Sequence, residues 1–336
     1  MKHLLIDFDS TIPNLALMKI SKWAKMKGDE VFLNDDSIEP DFVWLSCIFT
    51  WNRENAQSAL AFYHFRFPNA TIRYGGTGFD WGRIGNRIEL PEEIENMNPD
   101  YSLYHDDRAV GFCQRGCDRR CQFCDVWKKE GRIADNGYKR LTEWIPEGFK
   151  KVLLLDNDIA LAPKWKHDEV LNDAIDMKLK ISLTQGYDIR TMTAERAELL
   201  AENKPYDRKF KARQLYFSWD YARPSKYGLG IEKYVRNGVE MLKDAGFKGS
   251  ELVCYVLVGF DSTFEQDVQR VEILRNELGI LSYVMAYNNR RDNQNINNLR
   301  RWANRRWLYK SMDFNEYDSH YKSHSGKSGI MQGVLR

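Results

Sequence analysis

The 336-residue sequence has no apolar run approaching the ~18 residues of a membrane span, so a membrane anchor is not expected. Charge bias is nearly absent. Fifty Lys and Arg against 48 Asp and Glu leave +2, so no global field favours nucleic acid or an anionic membrane, and any basic site must be local. There is no low-complexity tract and no repeat of solenoid period, which excludes disordered and array architectures. The opening MKHLLIDFDS turns acidic too early for a signal peptide, and a cytoplasmic location is the expectation. Cysteine is scarce, six in all, yet four (Cys113, Cys117, Cys121, Cys124) fall within twelve residues. In a reducing compartment such a cluster favours metal or catalysis over disulfides.

What is present is a globular composition, 43% hydrophobic and 29% charged, in a chain long enough for one large α/β unit or two domains. Residues 3–8 read as a buried strand. Pro13 then opens a stretch with Ala16, Ile20, Trp23 and Ala24 on one helical face, closed by Gly28. The pattern recurs in a strand over 42–49, a helix near 54–66, and a strand over 71–74 running into Gly75 and Gly76. An N-terminal Rossmann-like domain with a parallel sheet is therefore expected over 1–105, its last part (80–105) serving as a connection. Further strands are expected at 109–113, 151–155, 180–184, 214–219, 252–258 and 282–287, with clear helices over 231–245 and 264–278. Six βα units predict an α/β fold with a partial, six-stranded βα barrel over 106–290, its site at the carboxyl ends of the strands. Residues 291–336 read as a helical extension and polar tail.

The run GFCQRGCDRRCQFCDVW spaces its cysteines C-x3-C-x3-C-x2-C. Thiolates this close can wrap one soft metal centre, zinc or iron–sulfur. Zinc sites usually pair two knuckles about a dozen or more residues apart, whereas all four thiols here share one loop after a strand. Inert buried cysteines fit poorly beside Arg115, Arg119 and Arg120.

Cys117, Cys121 and Cys124, with Phe123 before the last, match the C-x3-C-x-aromatic-C signature, and the chain resembles the radical S-adenosylmethionine enzymes over roughly 106–290. The resemblance implies that these three thiolates bind three irons of a [4Fe–4S] cluster. The fourth iron would receive the amino and carboxylate groups of S-adenosylmethionine, and reductive cleavage would leave a 5′-deoxyadenosyl radical that abstracts hydrogen from a substrate. Cys113 lies outside the register. Asp156, Asn157 and Asp158 stand where the family receives the cofactor's amino group, without the usual Gly-Gly-Glu. The resemblance also assigns Gln185, Asp188, Arg190, Trp219, Gly259 and Tyr287 to the cofactor at strand ends. It implies an electron donor such as flavodoxin or ferredoxin and a small-molecule or nucleotide/RNA substrate, with methylation, rearrangement, dehydrogenation or nucleotide modification all open. The other functional class is a non-catalytic zinc or iron–sulfur binding protein that interacts with nucleic acid.

The first domain is similar to the cobalamin-binding domain of one radical S-adenosylmethionine subgroup. Where that domain carries Asp-x-His-x-x-Gly, this loop reads Asp7-Phe8-Asp9-Ser10-Thr11-Ile12, so no cobalt ligation by His3 or His64 is expected, and cobalamin without a protein ligand stays open. Methylthiotransferases need further N-terminal cysteines, and only Cys47 is available. In the arginine-rich 288–310, Leu299, Trp302, Ala303 and Trp307 can share one helical face with Arg300, Arg301 and Arg305 outward; a lid is favoured there over phosphate recognition.

Overall fold

The computed structural model describes residues 1–80, 89–135, 137–221, 230–289 and 293–317. Part of the expected connection (81–88), residues 290–292 of the arginine-rich segment and the expected polar tail (318–336) lie outside the described residues. The fold is α/β, and every pairing among the described strands is parallel. The chain divides into two compact units whose segments interleave in sequence: Met1–Gly116, Glu130–Asn157 and Ala162–Thr184 in one; Cys117–Lys129, Asp158–Leu161 and Gln185–Arg336 in the other. No helix among the described residues is long and apolar enough to cross a membrane.

In the first unit, β1 (Lys2–Asp7), β2 (Glu30–Leu33), β3 (Phe42–Ser46) and β4 (Thr71–Gly75) form a sheet of order β2-β1-β3-β4, with α1 (Leu15–Met26) and α2 (Arg53–Arg66) between strands. The two-residue strand period divides its core. Leu5 and Trp44 pack with Leu17 and Ile20 of α1 and with Ile94, while Leu4, Ile6, Val43 and Leu45 pack with Phe67. Asn14 starts α1 by accepting the Leu17 N–H, and its amide holds Ser10 and Ser46 at 2.9 Å. A second sheet, β5 (Arg108–Gly111), β6 (Lys151–Leu154) and β7 (Lys180–Ser182), has α3 (Lys164–Asp176) between its last two strands.

The second unit holds the sheet β10-β9-β8, made of β8 (Leu215–Ser218), β9 (Leu252–Val258) and β10 (Leu281–Ala286). It also holds α4 (Ala194–Asn203), α5 (Ile231–Asp244), α6 (Phe264–Glu272), α7 (Gln294–Ala303) and α8 (Arg306–Ser311). The six expected strands are thus all present, in two three-stranded sheets.

Three local expectations are corrected. The four-residue β2 pairs with β1 where no strand was expected. The helix expected to run to 278 gives way after Glu272 to a π turn over Ile273–Glu277, which turns both Ile273 and Leu274 inward. The arginine-rich helix breaks after Ala303. Asn304 pairs with the β10 edge, accepting the Val284 N–H at 2.7 Å and donating to the Val284 carbonyl at 3.0 Å. Leu299, Trp302 and Ala303 are buried as expected, but the new phase of α8 buries Leu308 and Tyr309 and leaves Trp307 47% exposed.

Candidate functional site

In the first unit, the segment leading into the cysteine loop is held by two of the predicted residues. Asp156 is buried and accepts the backbone N–H of Cys113 at 2.7 Å and of Gln114 at 3.0 Å, one on each oxygen. Burial pushes its carboxyl up to about 7 against those hydrogen bonds. Asn157 donates to Glu130 at 2.6 Å, and Glu130 also accepts from Arg115 and from the Gly116 N–H. Both residues therefore position the loop's entry. Cys113 is buried at the strand end.

In the second unit lie Cys117, Cys121 and Cys124, all half-buried and free of disulfides. The Cys124 N–H donates to the Cys121 carbonyl at 3.1 Å, closing a tight turn, and the Trp127 indole N–H donates to the same oxygen at 3.4 Å. Burial pushes the Cys117 thiol up to about 11 and raises Cys121 and Cys124. Arg190 and the Tyr221 hydroxyl oppose the rise at Cys121, and Lys128 opposes it at Cys124. Among the described residues, no three His, Cys, Asp or Glu side chains converge on a single-ion site.

Aromatic rings tie this loop to three strand ends. Phe123 lies 5.5 Å from both Tyr221, after β8, and Phe260, after β9; Phe260 lies 4.8 Å from Tyr287, after β10. Gly259 precedes Phe260 at φ +72°, where a Cβ would meet Ile296 at 2.8 Å. The turn is fixed from α6: Asp267 accepts the Gly259 N–H at 2.9 Å and pairs with buried Arg270, which donates to the Trp219 and Leu257 carbonyls. Trp219 is buried, and its indole N–H donates to the Tyr221 carbonyl at 3.1 Å.

After β7, Gln185 is exposed, whereas Asp188 is buried between two guanidiniums. Arg119 of the cysteine loop donates to Asp188 Oδ2 at 2.8 Å, and Arg190 donates to Oδ1 at 2.7 Å and to Oδ2 at 2.9 Å. Burial would raise the Asp188 carboxyl, but the two arginines hold it below the usual carboxylate range. Its neighbours move the other way. Asp158 is pushed up to about 7 by burial and the Asp188 charge, and Asp220 up to about 6 by burial. The predicted set is thus dispersed: Phe123 and Tyr287 belong to one aromatic cluster, Gly259 precedes its Phe260, and Asp188 and Arg190 form an ion pair. Arg119, Tyr221, Asp267 and Arg270 were not predicted. Arg119 lies inside the cysteine motif and Tyr221 one residue beyond Trp219-Asp220, so position alone would have flagged both.

The loop after β1 is tied to the loop after β3. Asp9 accepts the N–H groups of Ile48 at 2.7 Å and Phe49 at 3.0 Å and the Asn52 amide at 3.0 Å. Gly76, at φ +98°, lies so close to Cys47 that a Cβ would meet its carbonyl oxygen at 2.2 Å. His3 is fully buried, paired with Asp29 and accepting from Trp44, and His64 is exposed on α2. The residues present do not fit a histidine-ligated cobalamin, and no step through that cofactor follows.

No family model and no curated protein matches the chain. Among solved structures, a Yersinia pestis dihydropteroate synthase in a sulfonamide drug complex is similar at 12% identity over 53% of this chain and 72% of that one, with a TM-score of 0.23. So slight a likeness carries no argument about function.

Proposed function

We propose that the protein is a radical S-adenosylmethionine enzyme in which Cys117, Cys121 and Cys124 hold a [4Fe–4S] cluster. The observation that carries this reading is the C-x3-C-x-aromatic-C register of three free, half-buried thiols on one loop that also bears Arg119. Three soft donors within eight residues suit iron–sulfur chemistry. With the cofactor bound, the cluster would supply reductive cleavage of a sulfur–carbon bond, the chemistry that removes hydrogen from an unactivated carbon.

On this reading the six βα strands make a partial barrel, and the chain's own groups supply binding and order. Arg190 favours the Cys121 thiolate needed for ligation. Phe123, Tyr221, Phe260 and Tyr287 form an aromatic wall against the loop. Asp158, lifted to about 7, is partly protonated near neutral pH and can donate a hydrogen bond to a zwitterionic ligand. A small-molecule or nucleotide substrate and a flavodoxin- or ferredoxin-like donor belong to the same proposal.

The test is anaerobic reconstitution followed by metal analysis and incubation with reductant and S-adenosylmethionine. About four irons and four sulfides per chain are expected, with slow release of methionine and 5′-deoxyadenosine. Alanine at Cys117, Cys121 or Cys124 should abolish the cluster, while Cys113→Ala and Cys254→Ala should keep it. Stoichiometric zinc without iron–sulfur absorption would overturn the reading.

A further inference from the structure

A second feature of the C-terminal sheet is a set of tyrosines on its strands, the middle one facing Gly186 after β7, where a Cβ would meet the Tyr255 ring at 3.7 Å. Tyr216, Tyr255 and Tyr283 lie on three neighbouring strands and form one ladder. The first two rings stack with centroids 5.3 Å apart and planes 18° apart, and the last two meet edge-on at 5.8 Å. Strand alternation puts Leu215, Phe217, Cys254 and Val256 on the opposite face, where all four are fully buried. The tyrosines are only half-buried. A packed sheet that keeps three adjacent aromatic side chains in reach of water presents a binding face.

Two basic segments border the ladder. The hairpin closed by the Tyr206–Arg213 bridge, just before β8, carries Arg208 and the exposed Lys209 and Lys211. The end of α7 and the start of α8 carry Arg300 and the exposed Arg301, Arg305 and Arg306. Both segments reach the tyrosines. Burial raises each hydroxyl's pKa, and a nearby guanidinium opposes the rise: Arg306 at Tyr216, Arg208 at Tyr255 and Arg300 at Tyr283. Asp207 adds to the rise at Tyr216, and its Oδ1 is taken up by the hairpin's own Lys211 and Ala212 N–H groups at 2.6 and 3.0 Å.

We propose that this face binds single-stranded nucleic acid, its phosphates on the arginines and lysines and its bases against the tyrosine rings. Cations alone would suit any polyanion, and rings alone any apolar ligand. Their interleaving selects a chain of charges that carries flat, unpaired rings, since bases in a duplex are not free to stack on protein. The near-zero net charge of the whole chain makes the attraction local to this face. The inference does not depend on the cluster reading, and either can fail alone.

The test is fluorescence anisotropy of labelled U and dT oligomers of about twelve nucleotides, titrated with the full chain at about 50 and 200 mM salt. Wild-type affinity should fall as salt rises. The triple variant Arg208→Gln, Arg300→Gln, Arg306→Gln should bind at least about tenfold more weakly at low salt and flatten the log–log salt slope by about 2. Tyr255→Leu should weaken binding about 5- to 100-fold with the slope unchanged, and Tyr255→Phe should retain it. Circular dichroism melting controls for folding, and Tyr283→Leu with Tyr283→Phe replaces that pair if Tyr255→Leu does not fold. Absence of binding at low salt, or wild-type binding by the arginine variant, overturns the proposal. Loss in the arginine variant alone, with the leucine variants binding as wild type, marks general polyanion adsorption and also overturns it.

Discussion

Asp188 holds both carboxylate oxygens against guanidinium groups, and its Oδ1 also accepts the Arg190 backbone N–H at 3.1 Å. Removing its charge takes the paired carboxylate from Arg119 and Arg190 and leaves Asp158 as a neighbouring acid that the loss of Asp188 helps to ionise. Both arginines remain partly exposed and can recover some hydration, so the cost should fall below that of a fully buried broken pair. Asp188→Asn is expected to lose about 1–3 kcal/mol, read as a lowered urea midpoint with unchanged slope. A variant as stable as wild type would show that the two arginines do not need this partner. The three cysteines were legible because their spacing is local and chemically distinctive. The Arg119–Asp188 pair spans 69 residues of sequence, and nothing in either residue's neighbourhood announces the other. The same holds for Asp156: its position after β6 was legible, but its bonds to the Cys113 and Gln114 amides across the sheet were not.

The element scale is where patterning succeeds and fails for visible reasons. β1, β3 and β9 were legible because runs such as LLI, FVWL and LVCYVLV leave no competing helical period. The short β2 was not, since Glu30–Leu33 is only four residues long and none of them is fully buried. Trp307 was misplaced because helical spacing was carried through Asn304, whose amide instead completes the hydrogen bonding of the β10 edge. α7 packs through Trp302, which is 0% exposed, donates to the Met312 carbonyl at 3.2 Å and lies 5.2 Å from Tyr309 and 5.4 Å from Phe314. Trp302→Ala should therefore cost about 3–5 kcal/mol in chemical denaturation. Trp307→Ala, at an exposed ring, should cost well under about 1 kcal/mol. Equal losses would mean that the helix break does not divide the two rings as described.

Across the whole molecule, a net charge of +2 leaves little self-repulsion, so pH dependence should follow the few carboxyls whose folded environment differs most from water. Asp100 and Asp156 act in opposite senses. At Asp100, burial is outweighed by hydrogen bonds from Lys25, Ser102 and Ser21, which bring the carboxyl down to about 2. It stabilises the fold above the ordinary carboxylate pKa, and that contribution is lost as pH falls towards 2. At Asp156, burial wins and lifts the carboxyl to about 7. Between about pH 4 and 7 the unfolded chain has released this proton while the folded chain still holds it, so stability falls as pH rises through that window and levels off above it. A shift of that size corresponds to at most about 4 kcal/mol, since each unit is about 1.4 kcal/mol. Urea midpoints of wild type and Asp156→Asn at intervals from pH 4.5 to 7.5 isolate the effect, because asparagine keeps the shape and one acceptor without titrating. The wild-type midpoint should fall relative to the variant's across the series. Parallel curves would show that Asp156 is already ionised at the low end, with its two backbone N–H bonds outweighing burial.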